Sequence, residues 1–358
     1  MKKALLVAHV SDFVPQFEMN NVRILQKMGY EVHYATNFNN VSYRADKSFM
    51  DDSGIVCHHV DFERSPYCFR EHKTACRQLK ELFDKEGFSL LHCHTPVGGV
   101  LARYVARKYR KSGLKIVYTA HGFHFYKGAP LKFWLLFYPI ERILARKTDV
   151  LITLNTEDFK CAKKFCRHKK TRVEYIPGVG IDIDFWSGKE LEFGEREKIR
   201  KQIRQELGVS ASEQMLISVG ELIPRKNHEA VIRALKEKGS TDYKYFICGL
   251  GVLKEYLQQL IEELGLADRV TLLGYRRDIR ELLYGADLFV FPSKQEGLPV
   301  ALLEAMATGV KVAASDIRGN RDLLGLSEEE LERYDCKNVG KKMDEIYRLL
   351  LGESNMKG

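Results

Sequence analysis

The sequence predicts an α/β protein built from two doubly wound parallel-sheet domains facing each other across a cleft. Three observations carry this expectation. Apolar runs alternate with amphipathic stretches along almost the whole chain, the pattern of strands buried on both faces and joined by helices. The runs fall into two series, broken near residues 177–190. The chain has 358 residues, which at roughly 100–200 residues per domain suits about two domains.

The elements follow in order. ALLVAHV (4–10) reads as the first strand. A helical pattern through Asn21, Ile24, Leu25 and Met28 stops at Gly29, and EVHYAT (31–36) completes a βαβ unit. LLHCHT (90–95), a helix around 97–111 and KIVYTA (115–120) repeat the scheme. DVLITL (149–154) and VEYIPG (173–178) end the first series. The second runs MLISVG (215–220), helix HEAVIRALKEKG (228–239), YKYFICG (243–249), a helix over 252–264, RVTLLG (269–274), DLFVFPS (287–293), a helix over 299–307 and VKVAAS (310–315). The implied organisation is a first domain at 1–176, a linker at 177–190, a second domain at 191–335, and a terminal helix within 336–358 that returns to the first domain. Open parallel sheets bind ligands beyond the carboxyl ends of their strands. Functional residues are therefore expected just after the strands.

Composition excludes several classes. The chain is 45% hydrophobic and 29% charged, ordinary for a globular protein. The apolar stretch FWLLFYPI (133–140) is far short of the roughly 20 residues a membrane span needs. MKKALLVAHVSD reads as a buried strand rather than a signal peptide. Eight irregularly spaced cysteines make no disulfide framework. The expectation is a cytoplasmic protein. Charge is asymmetric: residues 1–175 hold 30 Lys+Arg against 17 Asp+Glu, a balance of +13, and residues 176–358 hold 27 against 31, a balance of −4. ARYVARKYRKSGLK (102–115) and KCAKKFCRHKKTR (160–172) carry much of the excess. With no helix-turn-helix pattern or aromatic single-strand platform, nucleic acid is not an expected partner. A solvated helix face and a face resting on anionic lipid both remain open.

The most informative string is PSKQEGLPVALLEAMATG (292–309). Glu296 and Gly297 lie in the loop after a strand, and Pro299 suits the first turn of the helix that follows. Val300, Leu303 and Ala307 are placed to face the core, and Gly309 stops the helix. Free N–H groups and the positive dipole end at such a helix start suit a diphosphate. Two carboxylates, Glu296 and Glu304, can accept hydrogen bonds from sugar hydroxyls. His121 stands directly after KIVYTA. Gly249 and Gly251 follow YKYFIC, where close backbone approach or a tight turn needs no side chain. HCH (92–94) and CHH (57–59) look like metal ligands, but no partner motif completes a site, so no metal is expected. No P-loop or GxSxG string occurs.

The 292–309 string resembles the donor-binding signature of the family 4 retaining glycosyltransferases, in which two glutamates are separated by seven residues. SVGELIPRKNHEAVIRAL (218–235), CGLGVLKEYL (248–257), LGYRRDIRELLYGADLFVFPS (273–293), ASDIRGNRDL (314–323), YTAHGFHFY (118–126) and YIPGVGID (175–182) match in order and spacing. The resemblance spans the chain to about Asp322 and is closest to bacterial enzymes of capsular and exopolysaccharide assembly. It implies the GT-B fold, two Rossmann-like domains with the nucleotide-sugar held mainly by the second. It implies that Glu296 contacts donor sugar hydroxyls and Glu304 the ribose, while Gly297 and Leu298 offer backbone donors near the diphosphate. Gly220 ends the strand that precedes the family's cation pair. Lys226 takes the lysine position of that pair, Glu221 replaces its arginine, and Arg225 supplies the missing charge. His121, with His124 as a neighbour, lies near the anomeric centre. Tyr275 and Arg276 stand where the family holds the nucleotide base.

Two departures matter. The loop VSDFVPQF (10–17) lacks the Gly-Gly pair of many relatives. Roughly 30 family residues are missing after RGNRDL, before a helix capped by a Ser327–Glu330 box. The expected activity is transfer of a sugar, with retention, from a nucleotide diphosphate donor, most often UDP, without a cofactor. The expected acceptor is a lipid-linked oligosaccharide or saccharide, reached by peripheral contact of the basic half with the inner membrane face. The alternatives are a non-catalytic GT-B partner subunit and a GT-B nucleotide-sugar epimerase.

Overall fold

A computed structural model describes residues 1–39, 53–239 and 242–352. The chain forms two compact units, one of residues 1–179 with 336–358 and one of residues 180–335.

The first unit is a seven-stranded parallel sheet in the order β3-β2-β1-β4-β5-β6-β7. Its strands are β1 (Lys2–Val7), β2 (Tyr30–Thr36), β3 (Val56–His59), β4 (Leu90–Cys93), β5 (Lys115–Ala120), β6 (Val150–Thr153) and β7 (Arg172–Tyr175). The central strands are buried on both faces, which is why their sequences read as continuous apolar runs. Some helices stop where the sequence supplies a left-handed glycine. Gly87 (φ 64°) ends helix Phe69–Glu86 and returns its N–H to the Phe83 carbonyl. Asn155 begins helix Thr156–Cys166 by accepting from the Asp158 N–H at 2.8 Å. That helix carries much of the basic 160–172 stretch.

The second unit is a five-stranded parallel sheet in the order β10-β9-β8-β11-β12. Its strands are β8 (Gln214–Val219), β9 (Tyr243–Cys248), β10 (Val270–Gly274), β11 (Leu288–Phe291) and β12 (Lys311–Ala314). Its described sheet ends on β12, immediately before the shortened segment. The Ser327–Glu330 capping box forms as read, Ser327 Oγ accepting from the Glu330 N–H at 3.2 Å and Glu330 Oε2 from the Ser327 N–H at 3.0 Å. Helix Cys336–Leu351 belongs to the first unit and packs on helix Met19–Lys27. Asn20 Nδ2 donates to the Cys336 carbonyl at 2.8 Å, and Gly340 lets the two helices meet there.

The helix after Glu296 corrects the reading in two details. Pro299 is its N-cap residue, outside the first turn. The buried positions of Val300–Ala307 are Leu302, Leu303 and Ala305, with Val300 and Ala307 only partly covered. A helix apolar almost all round has no strong face to read from periodicity.

Candidate active site

Each sheet has one place where the strand order reverses, and ligands of doubly wound folds bind outside the carboxyl ends at that point. In the second unit the reversal falls between β8 and β11. The loop after β8 carries Gly220, Arg225 and Lys226, and the loop after β11 carries Glu296, Gly297 and Leu298. The loops are tied directly. Lys294 N donates to the Arg225 carbonyl at 2.8 Å, and Asn227, held at φ 59°, donates from Nδ2 to the Pro292 carbonyl at 3.2 Å.

This brings Glu296 between two cations. Lys226 Nζ lies 2.8 Å from Glu296 Oε1, and Arg225 Nη1 lies 3.0 Å from Oε2. Glu296 is buried, and Lys226 Nζ also sits 4.8 Å above the Phe291 ring. A third cation was not assigned from the sequence. Buried Arg318 donates from Nε to the Glu296 carbonyl at 3.3 Å. The backbone beside it presses on the same loop: a Cβ on Gly319 would lie 2.3 Å from the Gly297 carbonyl oxygen. Glu221 reaches only 3.9 Å from Arg225. Lys226 and Arg225 at the Glu296 carboxylate and Arg318 at its carbonyl concentrate cationic groups at these loops, which suits an anionic ligand. Helix Val300–Ala307 starts here with no side-chain cap on its first turn, so its dipole adds to that field.

The glycines have a steric reason. A Cβ on Gly249 would fall 1.9 Å from the Gly220 carbonyl oxygen, and one on Gly251 would fall 2.4 Å from that of Leu222. The turn after β9 therefore lies flat on the turn after β8. Glu304, half-buried in its helix, has its carboxyl pushed up to about 7 by burial. Tyr275 is exposed, and Arg276 is held by Asp278 at 2.5 Å and Glu206 at 2.9 Å.

In the first unit the reversal falls between β1 and β4. Here a cluster forms that the sequence did not announce. Glu18, between helices Phe13–Phe17 and Met19–Lys27, places Oε1 3.3 Å from His94 Nδ1 and 3.6 Å from His121 Nε2. The two histidine nitrogens are 3.2 Å apart. Asn21 Nδ2 donates to Glu18 Oε2 at 2.5 Å. The Phe13 ring meets His121 edge-on at 4.9 Å. Burial pushes the Glu18 carboxyl up to about 8 and the His121 imidazole down to about 4. Burial thus favours the neutral forms of Glu18 and His121, and the hydrogen bonds of the cluster are those of His94 with His121 and of Asn21 with Glu18. Thr95, at the carboxyl end of β4, has φ 61° and accepts from the His9 N–H at 3.2 Å. His124 instead packs its ring 4.5 Å from Phe137.

Among the described residues, Glu18, His92 and His94 could offer metal ligands within 4.8 Å of one another. The donor set does not fit an ion. Both His92 nitrogens are committed, Nδ1 to the Tyr347 hydroxyl at 2.7 Å and Nε2 to Thr119 Oγ1 at 2.8 Å. His94 Nε2 is buried without a partner, whereas ligating histidines anchor the second nitrogen. His58 of the other tempting string stacks on His33 at the sheet edge.

Comparisons with known proteins converge on one family. Residues 2–155 match the model described as "Glycosyl transferase 4-like", and residues 199–348 match "Glycosyl transferases group 1". The chain is 37% identical over 352 residues to EpsD of Bacillus subtilis, a glycosyltransferase by name, covering 97% of this chain and 87% of that one. It is 31% identical over 252 residues to the UDP-Gal:alpha-D-GlcNAc-diphosphoundecaprenol alpha-1,3-galactosyltransferase of Escherichia coli, covering 69% and 62%. The fold matches Anabaena Alr3699/HepE, solved with UDP-glucose, with a TM-score of 0.71 at 18% identity over 98% of this chain and 100% of that one. The chain is thus a member of the family 4 glycosyltransferases with the GT-B fold, similar to enzymes of exopolysaccharide synthesis.

Proposed function

We propose that this glycosyltransferase takes a sugar from a nucleoside diphosphate donor, a UDP-sugar, and transfers it with retention to a lipid-linked saccharide at the cytoplasmic membrane face. The observation that carries the reading is the cation-bearing loop cluster at the second unit's switch point, where Lys226 and Arg225 hold the Glu296 carboxylate and Arg318 its carbonyl. Lys226 and Arg225 stabilise the charge that builds on the departing diphosphate. With the diphosphate held by the cations, the Glu296 carboxylate is released to accept hydrogen bonds from the donor sugar. Gly297 and Leu298 present backbone donors to the phosphates, and Glu304 holds the ribose. Gly220, Gly249 and Gly251 shape the floor, and Tyr275 and Arg276 flank the base. His121 positions the transferred sugar. Retention follows from front-face displacement, in which the leaving diphosphate takes the proton of the incoming hydroxyl.

Similarity supports the donor and acceptor classes. The Escherichia coli relative is named for UDP-Gal, a diphosphoundecaprenol-linked acceptor and an alpha linkage. A Campylobacter jejuni relative, 36% identical over 118 residues, is also named for a diphospho-undecaprenol acceptor. Among the described residues no helix is long and apolar enough to cross a membrane, and the reading makes the membrane contact peripheral, through the basic half. No divalent ion is required, because side-chain cations supply the charge.

Thermal melting with UDP, GDP or ADP, each with and without EDTA, tests this. A ligand at about 100 times its Kd adds roughly 2.7 kcal/mol. A rise with UDP that EDTA leaves intact is expected. No rise with any nucleotide would overturn the donor assignment.

A further inference from the structure

The first unit contains a cavity of about 280 Å³ that the transfer chemistry does not use. Three helices and one loop build it: Phe69 from helix Phe69–Glu86, Val97 and Val100 from helix Pro96–Ala106, Phe137 and Ile140 from helix Leu131–Ala145, and Phe123 from the loop after His121. Glu141 also reaches the wall, but its charge is consumed. Arg103 Nη1 and Nη2 each bond it at 2.9 Å, and the Arg103 guanidinium stacks 3.6 Å from the Tyr118 ring. The wall therefore offers mainly hydrocarbon and aromatic surface, with its buried ion pair already satisfied and His72 and His124 as its other polar side chains.

The outer surface of these helices continues the same chemistry. Leu131, Leu135 and Ile143, four and eight residues apart, share one face and are 60–71% exposed, and Phe69 is 75% exposed. Exposed cations stand on the same elements: Lys132 and Arg142 on helix Leu131–Ala145 with Arg146 at its C-cap, and Arg70 and Lys73 beside Glu71 at the start of helix Phe69–Glu86, whose exposed acids Glu81 and Asp84 lie toward its other end. Exposed apolar side chains with cations on the same helices suit an amphiphile with a hydrocarbon chain and an anionic head.

We infer that this cavity holds the first isoprene units of the acceptor's polyisoprenoid chain, with the remainder running over the exposed Leu131, Leu135 and Ile143 side chains. The inference rests on the lipid-linked acceptor reading and gives it a site. The segment Gly122–Phe125 lines the cavity immediately after His121, so a chain seated there brings its head group to the carboxyl end of β5.

The test uses the full chain with farnesyl diphosphate as probe. Trp134 is the reporter, since its ring lies 5.5 Å from Phe125 in the cavity wall, and Trp186→Phe removes the other tryptophan. Saturable binding is expected, at least tenfold tighter than inorganic diphosphate and than dodecyl diphosphate. Val100→Phe and Ile140→Phe, which fill the cavity from different helices, should each weaken it tenfold or more while the UDP-induced rise in melting temperature persists. Equal affinity for inorganic diphosphate would overturn the inference, and so would dodecyl binding as tight as farnesyl or unchanged affinity in both variants. Loss of the UDP effect in the unmodified protein would instead strike the donor reading and leave this site standing.

Discussion

Replacing Lys226 with methionine keeps the length and apolar stem of the side chain and removes its charge. In the folded protein the ammonium bonds Glu296 at 2.8 Å, but Arg225 holds the other carboxylate oxygen at 3.0 Å. Breaking a buried pair outright costs about 3–5 kcal/mol; with one cation remaining, the loss is nearer a single charged hydrogen bond, about 1.5–3 kcal/mol. For a domain of this size that lowers Tm by roughly 2–4 °C per kcal/mol. Catalysis should suffer more. In the proposed reaction Lys226 faces the charge of the leaving diphosphate, and removing such a group typically costs about 10²–10³ in kcat, or 2.7–4 kcal/mol. Initial rates of nucleotide release, measured below the variant's melting temperature, give kcat and KM separately. Lys226→Arg should recover part of the rate, because charge returns but the planar fork cannot reproduce a point contact. A folded Lys226→Met protein that retains more than a tenth of the wild-type kcat would refute the assignment of Lys226 to the diphosphate.

Other outcomes follow from the same geometry. Gly249→Ala places a Cβ 1.9 Å from the Gly220 carbonyl oxygen, so denaturant titration should show a loss of about 3 kcal/mol or more, with a weaker nucleotide-induced shift. Glu18 faces His94, His121, Asn21 and, from the terminal helix, Tyr347. Its folded-state value of about 8 lies above the usual 4.5. Between pH 4.5 and 8 the unfolded chain ionises this carboxyl while the folded chain keeps its proton, so its stabilising contribution is lost as pH rises. Glu18→Gln should therefore gain stability relative to wild type, by several kcal/mol at pH 8 and little at pH 4.5; a pH-independent difference between the two would contradict this. Tyr347→Phe removes the hydroxyl bonded to buried His92 and should cost about 1–3 kcal/mol in chemical unfolding, leaving nucleotide binding in the second unit unchanged.

The sheets were legible because strands buried on both faces cannot tolerate polar residues, and KIVYTA or YKYFIC leave no other reading. Edge strand β3 was not, since VCHH at Val56–His59 is largely exposed and carries no apolar run. Helix Phe69–Glu86 was legible and went unread: its buried residues Ala75, Leu79, Leu82 and Phe83 keep the i, i+4, i+7, i+8 spacing of an amphipathic helix. On the donor side, Lys226, Arg225 and Glu296 were read one by one from motif and position, and the structure joins them through cross-bonded loops. Arg318 and Glu18 went unassigned because their partners lie 22 and 76 residues away, Glu296 for one and His94 for the other. No local spacing encodes such meetings. A signal for Glu18 did exist: a carboxylate at the junction of two short helices, three residues before Asn21.

The central claim is transfer of a sugar from a nucleoside diphosphate to a lipid-linked acceptor. The most direct measurement incubates the purified chain with bacterial membranes and radiolabelled UDP-sugars, then partitions label between organic and aqueous phases. The account predicts label moving into the organic phase from a UDP-sugar, with nucleotide released in equal amount, and no movement with Glu296→Ala or Lys226→Met. Label released only as free sugar in water, or no transfer from any UDP-sugar, would contradict it.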